Sequence, residues 1–330
     1  MDYIRGVLGI LVLVIFASIF STNRKNIDWR LVGIGILLQA IFGILITKVA
    51  FVASIFTKVS AGFVKFLSFS EQGAQFIFGD LATSSFGFIF AFQVLPTIIF
   101  FSTVSAGLYY LGVLQKVVFV IAWVMARTMR LSGPESLSAA GNIFLGQTEA
   151  PLLVKPFIPT MSRSELMCLM TGGMATIAGG VLAGYVAFLG GDDPVEKTRF
   201  ATYLLGASIM NAPAAIVISK IIIPEEKERK LDEHLDISGQ VPDVNLIDAM
   251  SRGASEGLRL ALNVGAMLLA FIAVIAALNY LLSGIIGEFL GLNNFVVKST
   301  NGTFSGFSLE YLLGQVFRVF AWIIGVQWKD

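Results

Sequence analysis

Gly146, Gln147, Thr148 and Glu149 form a polar centre inside the apolar stretch GNIFLGQTEAPLLVKPFIP. Gln147 and Thr148 each donate and accept hydrogen bonds, and Glu149 adds a carboxylate. Glu149 would open the second half of the stretch, where the positive end of a helix dipole favours its charge. Such a patch is a surface on which a polar solute can bind. The plainer alternative is that these side chains cap a surface helix between two loops. Against it stands the expense of a carboxylate held at membrane depth without a purpose.

A second constellation follows in TGGMATIAGGVLAG, where Gly172, Gly173, Gly179 and Gly180 surround Thr176. Glycines weaken a helix in its interior, so this one should open at its middle and free backbone carbonyls that could coordinate a cation. Gly180 and Gly184 also make a small-xxx-small pair, the spacing by which membrane helices pack closely, and taken alone the glycines read as packing. A polar tip followed by a glycine-broken helix is the pairing by which transporters hold solute and coupling ion near the membrane midplane.

Other chemistry is poorly represented. Cys168 is the one cysteine and lies in LMCLMTGG, which excludes disulfides within the chain and cysteine-rich metal sites. His234, the one histidine, sits among charges in PEEKERKLDEHLDISGQ and reads as a surface residue. There is no nucleophile with an adjacent base, no cluster of metal ligands and no phosphate-binding glycine loop after a strand, so an enzyme is not expected.

The elements that must position these groups follow from composition. Of 330 residues 56% are apolar and 14% charged, and the mean hydropathy is +0.81, so the expected solvent is the lipid bilayer. The net charge of +1, from 23 basic and 22 acidic residues, gives no footprint for a nucleic-acid partner. Stretches long and apolar enough to cross run over 4–20, 31–46, 86–111, 166–189, 200–223 and 260–282, with a shorter one over 311–326. Residues 49–69 and 113–129 carry lysine or arginine on an apolar background and are expected to lie along the interface. The polar stretch 224–257 should hold a short helix, a loop and a further interfacial helix. Basic residues crowd 24–30, 155–163 and 220–252, which are therefore expected on the cytoplasmic side.

Around 146–149, Gly133 to Pro159 is too short to cross twice. Each half of about ten helical residues reaches about 15 Å, half the hydrocarbon thickness, which predicts a re-entrant hairpin. Irregular backbone at that depth must face protein or a water-filled cavity.

The segments GNIFLGQTEAPLLVKP, MTGGMATIAGGVLAGYVAF, SIMNAPAAIVISKIIIPE and GASEGLRLALNVGAMLLAF resemble the concentrative nucleoside transporter family, sodium/nucleoside symporters of bacterial type, most clearly from about Gly133 to Asn279. The resemblance implies an all-α integral membrane protein: a polytopic bundle with a re-entrant hairpin, broken helices and interfacial helices, built on an inverted repeat. It implies that Gly146, Gln147, Thr148, Glu149 and Val181 contact a nucleoside substrate. Sodium, as coupling ion and not a prosthetic group, would be held by Asn142, Leu145, Thr176 and Ile177, with Leu145 and Ile177 acting through their carbonyls. It further implies a homotrimer in a bacterial inner membrane. In this division 1–130 are scaffold and interfacial helices, 131–223 the transport region, and 224–330 a cytoplasmic polar segment, a scaffold span and the start of the second repeat. The family's second hairpin, with an Asn-Glu-Phe segment and a later Asn and Ser for the ribose, is not reached by Asp330, so the second repeat is expected to be incomplete. Proton coupling through Glu149, or a non-transporting scaffold or inactive fragment, are the competing readings.

Overall fold

The computed structural model describes residues 2–147, 150–191, 193–226 and 243–326. His234 lies outside them. Helices in chain order are α1 (Asp2–Ile19), α2 (Trp29–Lys48), α3 (Ala50–Phe78), α4 (Phe90–Gln93), α5 (Leu95–Tyr110), α6 (Val113–Met129), α7 (Gly133–Gly141), α8 (Ala150–Leu153), α9 (Arg163–Ala175), α10 (Gly179–Gly190), α11 (Pro194–Ile222), α12 (Leu246–Asn279), α13 (Leu292–Ser299) and α14 (Leu309–Ile324). Among the described residues there is no strand, and six helical stretches are long and apolar enough to cross a membrane.

The helix starts are written in short local signals. At α7, Ser132 Oγ accepts the Glu135 N–H at 3.3 Å and Glu135 Oε2 accepts the Ser132 N–H at 3.2 Å, a reciprocal cap that satisfies two otherwise orphaned donors. The same S-x-x-E device opens α9 through Ser162 and Glu165. Asp28 caps α2, and Asp193 followed by Pro194 opens α11.

Two compact units result. In the unit of residues 20–262, α11 is the central element and packs against α2, α3, α9, α10 and α7. Every residue of α7 is buried, an arrangement that only the small side chains of GPESLSAAG permit. A separate apolar core joins Val64 and Leu67 of α3, Leu182, Ala183 and Val186 of α10, and Ala201 of α11. The other unit holds residues 1–19 and 263–330. There α1 packs on α14, where a side chain at Gly9 would sit 2.5 Å from the Ile323 carbonyl oxygen. The end of α12 passes into a π-helical turn over Tyr280–Gly287. Asn279 accepts the Leu309 N–H at 2.8 Å, and Asn293 accepts the Phe307 N–H at 2.9 Å.

The stretch 166–189 forms two helices, α9 and α10, divided at the glycine-flanked Thr176 as its sequence predicts, while other elements depart from the expectations. Helix α3 runs 29 residues, longer than the 49–69 expected along the interface, and its length and composition would also let it cross. Lys58 and Lys65 of its polar stripe are exposed, while Ser60 and Ser70 on the other side of the helix are buried, bonded to their own helix at 2.9 and 2.7 Å. The separate interfacial helix expected before 260 does not exist among the described residues. Instead α12 is continuous from Leu246, clasped at its start by Arg252 to Asp243 at 2.8 and 2.9 Å.

Candidate functional site

The chain doubles back between α7 and α8. After Gly141 it makes a turn in which the Asn142 N–H bonds to the Ser138 carbonyl at 2.9 Å and the Leu145 N–H to the Gly141 carbonyl at 2.8 Å. A side chain at Gly141 would meet Leu153 Cδ1 and the Ala150 Cβ, so the two arms lie against each other. The returning arm is not the ten-residue helix expected. It is the short α8, with Pro151 tolerated in its first turn, followed by a 3-10 turn over Lys155–Thr160, because Pro156 and Pro159 remove the donors a continuous helix needs.

The break in the next helix falls where the glycines placed it. Helix α9 ends at Ala175, Thr176 is extended (φ −106°, ψ 158°), and α10 begins at Gly179. The glycines also let the hairpin approach. A Cβ on Gly173 would lie 2.9 Å from the Gln147 Cβ and 3.3 Å from its Cα, and one on Gly179 would lie 2.5 Å from the Phe144 carbonyl oxygen. Gly180 and Gly184 instead face Ile98 of α5 and Val94, which caps α5, the close packing their spacing announces.

Turn and break are joined by hydrogen bonds. The Gly179 N–H donates to the Phe144 carbonyl at 3.2 Å. Helix α11 adds a donor to each: Ser208 Oγ to the Ile143 carbonyl at 3.0 Å, and Asn211 Nδ2 to the Ala175 carbonyl at 2.8 Å. Sequence reading passed over Ser208 and Asn211, although two polar side chains three apart in an apolar helix share one face and mark a partner there.

Against this joint lies a cavity of about 300 Å³, lined by Gly146 and Gln147 of the hairpin and by Thr176, Ile177 and Val181 of the break and α10. Phe101, Ser102 and Ser105 of α5, with Leu260 of α12, form the facing wall. No described lining residue is charged, so the cavity suits a solute that is polar and neutral. Thr148 and Glu149 lie outside the described residues. A larger cavity of about 610 Å³ beside Lys65 and the Lys197–Glu71 ion pair is lined by none of the hairpin or break residues.

Asn142 and Leu145 are buried behind the lining residues. Asn142 is wholly inaccessible, its Nδ2 lies 2.9 Å from where a Cβ on Gly172 would be, and neither its Oδ1 nor its Nδ2 has a hydrogen-bond partner among the described residues. One turn earlier Ser138 Oγ is likewise unpartnered. An orphaned buried amide is expensive, about 1–3 kcal/mol, and calls for something to satisfy it. Its Oδ1, the Ser138 hydroxyl and the carbonyls freed at the break are neutral oxygens, a donor set that fits a hard monovalent cation. Among the described residues no group of three histidine, cysteine or acidic side chains could hold a metal.

Comparison with known proteins agrees along the length of the chain. Residues 8–81 match the family model of the N-terminus of Na+ dependent nucleoside transporters, 91–192 match a nucleoside-recognition gate, and 203–330 match the C-terminus of the same transporters. The transporter YutK of Bacillus subtilis is 41% identical over 331 residues, which cover the whole chain and 76% of that protein. Sodium/nucleoside cotransporter 1 of Mus musculus is 38% identical over 325 residues, 98% of this chain and 46% of the mouse protein. The solved structure of CNTnw in an inward-facing substrate-bound state superposes with a TM-score of 0.87 at 37% identity, covering 99% of this chain and 74% of that one. With a transporter relative 41% identical across the whole chain, and a solved transporter of the same fold, the chain belongs to the concentrative, Na+-dependent nucleoside transporter family, whose members are membrane transporters and not enzymes.

Proposed function

We propose that this protein imports nucleosides by sodium symport, with the nucleoside held at the hairpin tip and sodium between the hairpin turn and the break of α9 and α10. The observation that carries this reading is Asn142: a buried amide with no hydrogen-bond partner among the described residues, in the hairpin turn against Gly172 and Gly173 of α9, the second of which lines the uncharged cavity. Asn142 and Thr176, with the carbonyls of Leu145 and Ile177, would hold the sodium. Gly146, Gln147 and Val181, with Thr148 and Glu149 added on family resemblance, would contact the nucleoside. The printed names of the mammalian relatives, sodium/nucleoside cotransporters, support the coupling ion.

The two sites share a wall, which is the physical basis of coupling. A cation that satisfies Asn142 and the freed carbonyls holds the turn against the break, and Gln147 sits on that turn. Solute then meets a pre-organised tip, and by reciprocity bound solute raises cation affinity by the same factor. The family resemblance supports the rest of the reading: 131–223 as the transport region, the remaining helices as scaffold, and a homotrimer in a bacterial inner membrane.

The test is uridine uptake into proteoliposomes at fixed pH under an inward sodium gradient. Accumulation that vanishes when the gradient is collapsed is expected. Uptake driven equally by a proton gradient without sodium would overturn sodium coupling, and no uptake under either gradient would overturn the transport reading.

A further inference from the structure

A group of buried charges sits at the root of the hairpin, away from the cavity. Lys220, in the last turn of α11, and Glu135, in the first turn of α7, are 6% and 0% exposed. They form an ion pair. Lys220 Nζ also contacts Ser164 Oγ at 3.0 Å and Glu225 Oε2 at 3.0 Å, so the donors of the ammonium are all engaged. Glu225 Oε2 in turn accepts the Ser162 hydroxyl at 3.1 Å, and Ser162 caps α9. The starts of α7 and α9 and the end of α11 thus converge on one ammonium group. Each charge has the sign its helix end favours, carboxylate at the amino end of α7 and cation at the carboxyl end of α11.

Burying such charges stabilises a fold little compared with apolar packing, so their value is better sought in the geometry they impose. Glu135 does two things at once: Oε2 completes the cap on Ser132 while Oε1 meets Lys220. The root of α7 is therefore held in both position and orientation. From Glu135 to Asn142 the helix rises roughly 10 Å, so tilting the root by about 5° would move the turn by about 1 Å. Displacements of that size in a positioned group cost up to about a hundredfold in function.

We infer that Lys220 is a positioning residue for the solute and cation site: its buried contact with Glu135 fixes the root of α7 and, through that rigid arm, the placement of Asn142 and Gln147. Lys220 touches neither solute nor cation. The inference rests on the nucleoside-transport reading above and adds to it a residue about 10 Å from the turn it governs.

The test compares wild type, Lys220→Met, Lys220→Arg and the double variant Glu135→Gln/Lys220→Met in sodium-driven uridine uptake. Lys220→Met strands Glu135 as a lone buried charge, and is expected to raise the half-saturation concentrations for uridine and sodium by about tenfold or more while the maximal rate stays within about twofold. The double variant leaves that pair without charge, and Gln keeps the capping position, so both constants should return to within about threefold of wild type. Unchanged constants in Lys220→Met, or a double variant as impaired as the single, would overturn the inference. If Lys220→Met does not fold, Lys220→Arg decides: its broader, planar head cannot occupy the same contact, so raised constants at wild-type Tm support the role and unchanged constants refute it. A wild type that fails to transport uridine sinks the functional reading itself, which separates the two failures.

Discussion

The Gly179 N–H donates to the Phe144 carbonyl at 3.2 Å, so the turn of the hairpin and the break between α9 and α10 are closed by a common hydrogen bond. Each irregular segment exposes backbone groups that lipid cannot satisfy, and the two satisfy one another. Ser208 and Asn211 of α11 complete the joint from behind. The proposed binding surface and the backbone repair thus share one structure, and a change to either should be felt in both.

Gly173→Ala places a methyl 3.3 Å from the Gln147 Cα and 2.9 Å from its Cβ. The neighbour is backbone at the hairpin tip, so the tip must shift. Overpacking of this kind costs about 1–3 kcal/mol, equivalent to about a tenfold to hundredfold loss if it falls on solute affinity. Uridine uptake kinetics should show a raised half-saturation concentration with protein of normal Tm. Wild-type kinetics would mean that the tip does not contact solute.

Ser208→Ala removes the donor to the Ile143 carbonyl and leaves that carbonyl buried. A stability loss of about 1–3 kcal/mol is expected, read as a lowered Tm in detergent. The bond lies behind the turn, so sodium affinity should fall along with it. A lowered Tm with intact sodium affinity would show the bond to be structural alone.

Val181 lines the cavity, and Cys168 is the buried lone thiol, so Val181→Cys in a Cys168→Ala background reports on cavity access. A small water-soluble maleimide should label it, and uridine with sodium should slow the labelling severalfold. Labelling indifferent to both would remove the cavity from the solute's route.

The start of α12 gives a pH prediction. Hydrogen bonds from the Arg252 guanidinium hold the Asp243 carboxyl below its ordinary value of 3.8. A depressed folded-state value means the clasp contributes fully above 3.8 and fades as the pH falls through the lower value. Arg252 is partly solvated, so the contribution is small, about 1 kcal/mol or less. The Tm difference between wild type and Asp243→Asn should stay constant from neutral pH to the ordinary value and shrink below it. A difference that widens in acid contradicts the assignment.

Much of this was legible in the amino acids. Two S-x-x-E signals announce the starts of α7 and α9, and the glycines around Thr176 announce the break, because caps and glycines act locally. The doubling back of 133–159 followed from length against bilayer thickness. Pro156 and Pro159 shorten the returning arm, a local signal that the length argument overrode, and α12 absorbs residues 246–259 into one continuous helix. The rest is tertiary. Ser208 and Asn211 mark a polar face of α11, but their acceptors, Ile143 and Ala175, are 65 and 36 residues away and cannot be read from that spacing. The Lys220–Glu135 contact joins residues from α11 and α7, and only folding brings them together.

The central claim is that Asn142 joins cation to solute, and calorimetric titration of uridine across a range of sodium concentrations at constant pH and ionic strength tests it most directly. Wild-type affinity should rise with sodium, while Asn142→Ala should keep a weak, sodium-independent affinity. An Asn142→Ala protein whose uridine affinity climbs with sodium as steeply as wild type would contradict the account.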